Sequence, residues 1–302
     1  MRPFKSIVAA TFICLILNSC HKDDYLSYNE QIIGNWYCHT TETISYVAFN
    51  GNGTYNELGY DLISGWMKDR GRYKIYNDKL VRQRFISESD YSLYSNTIKI
   101  DGKEMTVEAG SNQYYPNQKE LVYHKIRNNF DIRGEYSFEK ALVDIEHKDG
   151  NTEITLPVGL SYQGKNTVKI SDIINETKIK EFLSDFFRYI AIKDNWVFEH
   201  SLNGEDLTKE YLFSSNKFLI NIAEVDSKAI TTSIYSFPDK EEKRLFFIIK
   251  DDSIIGYLIS LLQDENTGVE FTEEQFSQLK KTVPDHRDSN VNAIIVLKKI
   301  VI

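Results

Sequence analysis

Short runs in which polar and apolar residues alternate, set apart by Gly, Asn and Asp, recur along most of this chain and restrict it to folds built from antiparallel strands. Gly71-Arg72-Tyr73-Lys74-Ile75 alternates up to the Asn77-Asp78 turn, and residues 80–85 follow as the next strand. Ile32-Ile33-Gly34-Asn35-Trp36-Tyr37 opens a strand and residues 44–49 make another. Asn50-Gly51-Asn52-Gly53 then supplies residues that tolerate positive φ, as a tight hairpin into Thr54-Tyr55 requires. Residues 94–100, 104–109 and 120–126 continue the meander. The 19 Tyr and 17 Phe, set against 5 Pro in 302 residues, agree with this reading. Rings suit a pleated surface, whereas Pro cannot donate to a ladder.

At these residues the chain resembles the lipocalin-like domains common in Bacteroidota lipoproteins. The resemblance rests on Gly34-Asn35-Trp36, on Phe49 followed by Gly53-Thr54-Tyr55, on Gly71-Arg72-Tyr73 with Asn77-Asp78-Lys79-Leu80, and on the closing Val122-Tyr123-His124-Lys125-Ile126. It implies a small closed or nearly closed barrel over residues 28–127. Gly34, Trp36, Phe49, Gly53, Gly71 and Tyr73 are its structural motif, with the Trp36 ring filling one end and Gly34 allowing a neighbouring chain to come close. Residues 59–70, with Trp66 and Met67, exceed a tight hairpin and are expected to form a flap over the barrel mouth.

The strand pattern lapses at 127–130, and the remainder of the chain is not a clear copy of the first part. Residues 135–146 alternate, Asp149-Gly150 marks a hairpin, residues 153–158 return, and Gln163-Gly164-Lys165-Asn166 turns again. Over 176–192 the period changes: Ile179, Phe182, Leu183, Phe186, Phe187 and Ile190 form one apolar helical face. Strands are expected at 196–200, 211–213, 217–223, 230–237 and 244–250, and a helix capped by Ser253 over 253–263. Thr272-Glu273-Glu274-Gln275 is a capping box opening a helix lined by Phe276, Leu279 and Val283 and ended by Pro284; residues 293–302 read as a last strand. The fold class expected is mainly β: an N-terminal lipocalin-like antiparallel barrel, then an α+β domain over 128–302 of antiparallel strands with two or three helices, to which no family is assigned.

The N-terminus sets the location. Arg2 and Lys5 precede an apolar stretch over 7–17, and Leu17-Asn18-Ser19-Cys20 resembles a bacterial lipobox. That resemblance implies a signal peptide over 1–19, cleavage before Cys20, lipidation of Cys20, and a lipidated linker over 20–27. Several acyl chains hold a protein at a membrane stably where one does so marginally. His21, rather than Asp, after the cysteine implies the outer membrane, and His21-Lys22-Asp23-Asp24 resembles the export signals of Bacteroidota surface lipoproteins. Cleavage takes Arg2 and Lys5 from the 36 cations and leaves all 44 anions, so the net charge moves from −8 to −10. Such a balance disfavours nucleic acid as a partner. Cys14 leaves with the signal and Cys20 is lipidated, so Cys38 has no cysteine to pair with and reads as a small buried hydrophobe.

No chemistry-bearing motif stands out. There is no phosphate loop, no paired Cys, no His-Glu-x-x-His and no Gly-x-Ser-x-Gly; the histidines His39, His124, His147, His200 and His286 are scattered. No catalytic residue, metal ligand or cofactor is therefore assigned, and a non-enzymatic protein is expected. Trp66, Tyr114 and Tyr115 are the ligand-binding candidates, because amphipathic rings in polar surroundings stack on sugars or apolar molecules. The leading expectation is lipocalin-like binding of a small hydrophobic ligand or lipid. The alternatives are a surface glycan-binding or adhesion lipoprotein, and an inhibitor or immunity lipoprotein acting through protein contact.

Overall fold

A computed structural model of the chain describes residues 27–62, 65–86, 90–108, 120–126, 131–147, 152–192, 197–202, 205–210, 213–214, 217–225, 228–251, 255–264, 270–283 and 289–301. They are mainly β and divide into two compact units, the first made mainly of residues up to Lys125 and the second mainly of those from Ile126 onward.

The first unit is a closed, eight-stranded, up-and-down antiparallel barrel. After the short helix α1 (Tyr28–Gln31) come β1 (Gly34–His39), β2 (Thr43–Phe49), β3 (Thr54–Asp61), β4 (Gly65–Tyr76), β5 (Lys79–Phe85), β6 (Tyr91–Asp101), β7 (Glu104–Val107) and β8 (Leu121–Lys125). Closure is made by β8 against β1, with Trp36 opposite Lys125 and Tyr37 opposite His124. The expected flap over 59–70 is not one. Gly59 to Asp61 extend β3 and Gly65 to Arg70 extend β4, so most of the segment is barrel wall. Alternation carried by Tyr60, Trp66 and Lys68 lengthens a hairpin as readily as it decorates a loop.

One end of the barrel is sealed. Trp36 is fully buried, its Nε1–H donates to the Ile32 carbonyl at 2.7 Å, and Lys125 lies 5.1 Å over its ring while donating to the Gln31 carbonyl at 2.7 Å. Gly34 sits at φ +130, and a Cβ there would meet Lys125 Cε at 3.0 Å. Phe49 and Tyr73 meet edge-to-face at 5.0 Å, and the Tyr73 hydroxyl donates to the Asn50 carbonyl at 2.9 Å, tying the plug to the first hairpin.

The second unit is a nine-stranded antiparallel sheet in the order β14-β13-β12-β9-β19-β18-β17-β16-β15, with a separate two-stranded piece of β10 (Glu153–Thr155) and β11 (Thr167–Lys169). Its strands are β9 (Gly134–His147), β12 (Tyr189–Ile192), β13 (Val197–Leu202), β14 (Glu205–Glu210), β15 (Phe213–Ser214), β16 (Lys217–Val225), β17 (Lys228–Pro238), β18 (Arg244–Asp251) and β19 (Ser289–Lys299). Helices α2 (Ile170–Ile173), α3 (Glu176–Phe186), α4 (Ile255–Asp264) and α5 (Glu273–Thr282) complete it. Phe182 against Tyr257 and Phe187 against Phe247 join helices to each other and to the sheet. The Thr272 capping box forms as expected: Gln275 N–H donates to Thr272 Oγ1, and Thr272 N–H to Gln275 Oε1. The helix expected over 176–192 stops at Phe186, and Tyr189–Ile192 is a strand paired with β9. Ile190 and Ile192 are β-branched and fit a ladder, so the apolar period outlasts the helix.

The glycine, ring and lysine arrangement of β1 and β8 recurs in this open sheet. Gly134 is at φ +145, a Cβ there would meet Lys299 Cε at 3.1 Å, and the Tyr136 hydroxyl donates to the Ile132 carbonyl at 2.8 Å. The first strand of this unit again pairs with its last, with Tyr136 opposite Lys299.

Candidate functional site in the barrel

Because strand side chains alternate and the barrel is closed, the inward row of each strand can be followed from plug to mouth. On β5 that row is Leu80, Arg82 and Arg84. Leu80 is buried, Arg82 keeps 20% of its side chain exposed and Arg84 keeps 40%. Exposure thus falls along this row from the end at Phe85 and Tyr91 toward Leu80. The wall is apolar at the plug and charged above it.

The charged layer is built from strands that are not neighbours. Arg82 Nη1 on β5 donates to Glu57 Oε2 on β3 at 2.7 Å, across the interior, and Glu57 is only 7% exposed. Glu57 Oε1 accepts from Ser45 Oγ at 3.0 Å and from the Tyr123 hydroxyl at 3.4 Å. Arg82 Nη2 reaches Asn96 Oδ1 at 3.4 Å, and the guanidinium lies 5.7 Å from the centre of the Tyr55 ring. One layer closer to the mouth, Arg84 Nε forms an ion pair with Asp69 Oδ1 at 2.8 Å.

Burial, reinforced by the Glu57 charge, pushes the Tyr123 hydroxyl and the Cys38 thiol up, the thiol to about 12. Burial likewise raises the Tyr55 hydroxyl, so all three groups keep their protons at neutral pH. Cys38 is therefore a protonated core thiol and not a nucleophile. Asp69 is pushed above its ordinary value by burial and then by Glu57, with Arg84 and Arg82 only partly offsetting them. Burial acts against the charge on Arg82, but Glu57 outweighs it and the guanidinium is held more firmly protonated than usual.

Among the described residues, the buried polar atoms of this layer that have no hydrogen-bond partner include Arg82 Nε and the Tyr55 hydroxyl. Both can donate. A buried donor without an acceptor is costly, which marks the layer as the place where another oxygen fits.

The residues singled out from the sequence fall elsewhere. Trp36, Phe49 and Tyr73 belong to the plug, with Gly34 beside Lys125 and Gly53 at φ +78 in the first hairpin. At Gly71 a Cβ would stand 1.8 Å from the Gln83 carbonyl oxygen, so only glycine lets β5 lie where it does. Trp66 is half-buried on β4 and packs edge-to-face on Tyr60 at 5.7 Å. Tyr114, Tyr115 and Cys20 lie outside the described residues. The residues missed were Tyr55, Glu57, Asp69, Arg82 and Arg84. Their sequence mark was parity: in Leu80-Val81-Arg82-Gln83-Arg84 the charges share the inward row with a core leucine. Among the described residues, no three His, Cys, Asp or Glu side chains gather as metal ligands would.

No protein-family profile matches the chain, and no curated protein matches it. Among solved structures, it is matched to a protein of unknown function from the DUF3598 family of Nostoc punctiforme at 8% identity. That match covers 90% of this chain and 97% of the other, with a TM-score of 0.22, too low to carry fold or function across.

Proposed function

We propose that this chain is a lipoprotein anchored to the outer membrane through Cys20, whose barrel binds a small hydrophobic molecule or lipid without transforming it. The observation that supports binding is the graded inner row of β5 in a barrel sealed at the other end: Arg84 and Arg82 are reached by solvent, and Leu80 is not. A concave, one-ended site with a few fixed polar groups above an apolar floor is the usual form of a small-molecule site. The proton-retaining Cys38, Tyr55 and Tyr123 supply hydrogen-bonding capacity rather than nucleophiles, which favours holding a ligand over reacting with it.

The test is mass spectrometry of small molecules extracted from the protein beginning at His21 and produced in a bacterial periplasm. A recurrent lipid or apolar compound, absent from a variant in which Ser45→Trp fills the barrel interior, is the expected result. Extracts identical for both proteins, together with no binding of added lipids, refute the reading. Anchoring is checked separately, by incorporation of labelled palmitate into the full chain and its loss in Cys20→Ala.

A further inference from the structure

Resting on the binding reading above, we propose that the barrel takes a neutral amphipathic molecule polar end first. An ester, amide or hydroxyl oxygen accepts from Arg82 Nε–H and the Tyr55 hydroxyl, and the apolar chain leaves over the β5–β6 hairpin. Three observations carry this.

The first is the order of polarity along the axis. The floor is already filled by Trp36, Phe49 and Tyr73, and the layer above it is the polar one. An apolar tail driven in first would cover Arg82 Nε and the Tyr55 hydroxyl and leave both unsatisfied, whereas an oxygen placed there satisfies them.

The second is charge. The layer holds two carboxylates, Glu57 and Asp69, against two guanidiniums, Arg82 and Arg84, each already paired at 2.7 or 2.8 Å. A carboxylate on the ligand would be a third anion beside a buried pair, and an ammonium would be a third cation with both carboxylates engaged. A neutral head group adds neither.

The third lies at the mouth. Ile86, next in the inward row of β5 after Arg84, is a large apolar residue left exposed, and Phe85, Tyr91 and Leu93, which alternation turns to the outer face of the same hairpin, are exposed beside it, with Phe85 and Tyr91 directly opposite in register. Apolar surface is thus offered outside the polar layer, where a tail would lie if the head were inside.

The experiment uses the protein beginning at His21 and a dodecanoyl monoglyceride carrying a fluorophore at the far end of its chain. Its companions are the same labelled chain as the free acid and a monoglyceride labelled on the glycerol. The tail-labelled monoglyceride is expected to bind, the head-labelled one to bind at least about tenfold more weakly, and the acid likewise at neutral pH, gaining affinity as its carboxyl is protonated at about pH 5. Tyr55→Phe, which removes a hydroxyl with no partner and so leaves the fold intact, and Arg82→Lys, which keeps the cation but deletes Nε, should each weaken the monoglyceride several-fold. Equal binding of both labelled monoglycerides, equal binding of the acid at neutral pH, or indifference to both variants overturns the head-first, neutral-ligand proposal while leaving lipid binding in place. If no probe binds but another compound is recovered by extraction, this proposal alone fails; if none binds and extracts are empty, the binding reading falls with it.

Discussion

The pair between Arg82 and Glu57 is the most consequential interaction in the barrel, and its removal can be worked out before it is done. At 2.7 Å and an effective dielectric of about 20, the Coulomb attraction is at most about 6 kcal/mol. Most of this offsets the desolvation of two ions, so the pair as a whole adds little net stability. Breaking it is different. Arg82→Met leaves a 7% exposed carboxylate with, among the described residues, only Ser45 and Tyr123 as donors, and such orphaned charges cost about 3–5 kcal/mol. The 20% exposure of Arg82 lets water approach the vacated position and sets the expectation at the low end, about 3 kcal/mol. Glu57→Leu alone should cost a similar amount by stranding the guanidinium, while Glu57→Leu combined with Arg82→Met should come within about 1 kcal/mol of the parent. The coupling energy is then about 5 kcal/mol. The assay is urea unfolding of the chain beginning at His21, with Trp66→Phe and Trp196→Phe so that Trp36, in the barrel plug, is the sole tryptophan reporter. A double variant no more stable than Arg82→Met alone, or an Arg82→Met cost below about 1 kcal/mol, refutes the assignment of a buried, mutually compensating pair.

Gly71→Ala places a Cβ 1.8 Å from backbone oxygen that cannot yield without opening the β4–β5 ladder, and should cost at least about 3 kcal/mol; Gly102→Ala, at φ +58 but with open space around it, should cost about 1 kcal/mol in the same unfolding assay. The Asp69 carboxyl titrates above its ordinary 3.8 in the fold, so the stability linked to it is present below that value and lost as pH rises through the folded pKa. Asp69→Asn, which keeps an oxygen for Arg84, should therefore gain on the parent above about pH 4 and lose that advantage at about pH 3; a difference that widens toward acid would reverse the sign of the argument. Cys38, held protonated to about pH 12, should react with an alkylating reagent at about pH 8 roughly a thousandfold more slowly in the native protein than in urea, and equal rates would place the thiol outside the core. Trp36→Phe and Tyr136→Phe each strand a carbonyl, of Ile32 and Ile132 respectively, and each should destabilise its own unit by about 1–3 kcal/mol; a silent Tyr136→Phe, read by hydrogen exchange along β9 and β19, would mean that the second arrangement does not act as the first does.

The strand framework was legible in the sequence because alternation is a local property, and Gly34, Trp36, Gly53 and Gly71 could be placed because turns and close approaches admit few residue types. The charged layer was not legible in the same way. Glu57 and Arg82 lie 25 positions apart and meet only because β3 and β5 face each other across a closed barrel. Nothing in a linear pattern distinguishes that arginine from Arg72, which is exposed on β4. Parity narrows the choice only after the inward row has been fixed by residues such as Leu80 and Tyr73. The facing of residues in β18 and β19, both read as strands from the sequence, was illegible for the opposite reason. Phe246, Ile248, Ile294 and Val296 on one face are as buried as Phe247, Ile249, Ile295 and Leu297 on the other, so alternation is erased there and only strand identity survives in the sequence.

The second glycine, ring and lysine arrangement shows how one packing solution can recur where the residues differ. Ile32-x-Gly34-x-Trp36 with Lys125, and Ile132-x-Gly134-x-Tyr136 with Lys299, use a glycine at positive φ, a lysine stem laid against it, and a ring whose polar atom donates back four residues to an isoleucine carbonyl. The change from indole to phenol hides the likeness, yet both rings present one donor at the end of a flat apolar body, which is all the geometry asks. In both units this device sits on the first strand, paired with the last. It fixes the register in which the last strand joins the first, a contact of long sequence separation and large loop-closure entropy, and so belongs where a specific, buried hydrogen bond contributes most to making the arriving strand choose one register.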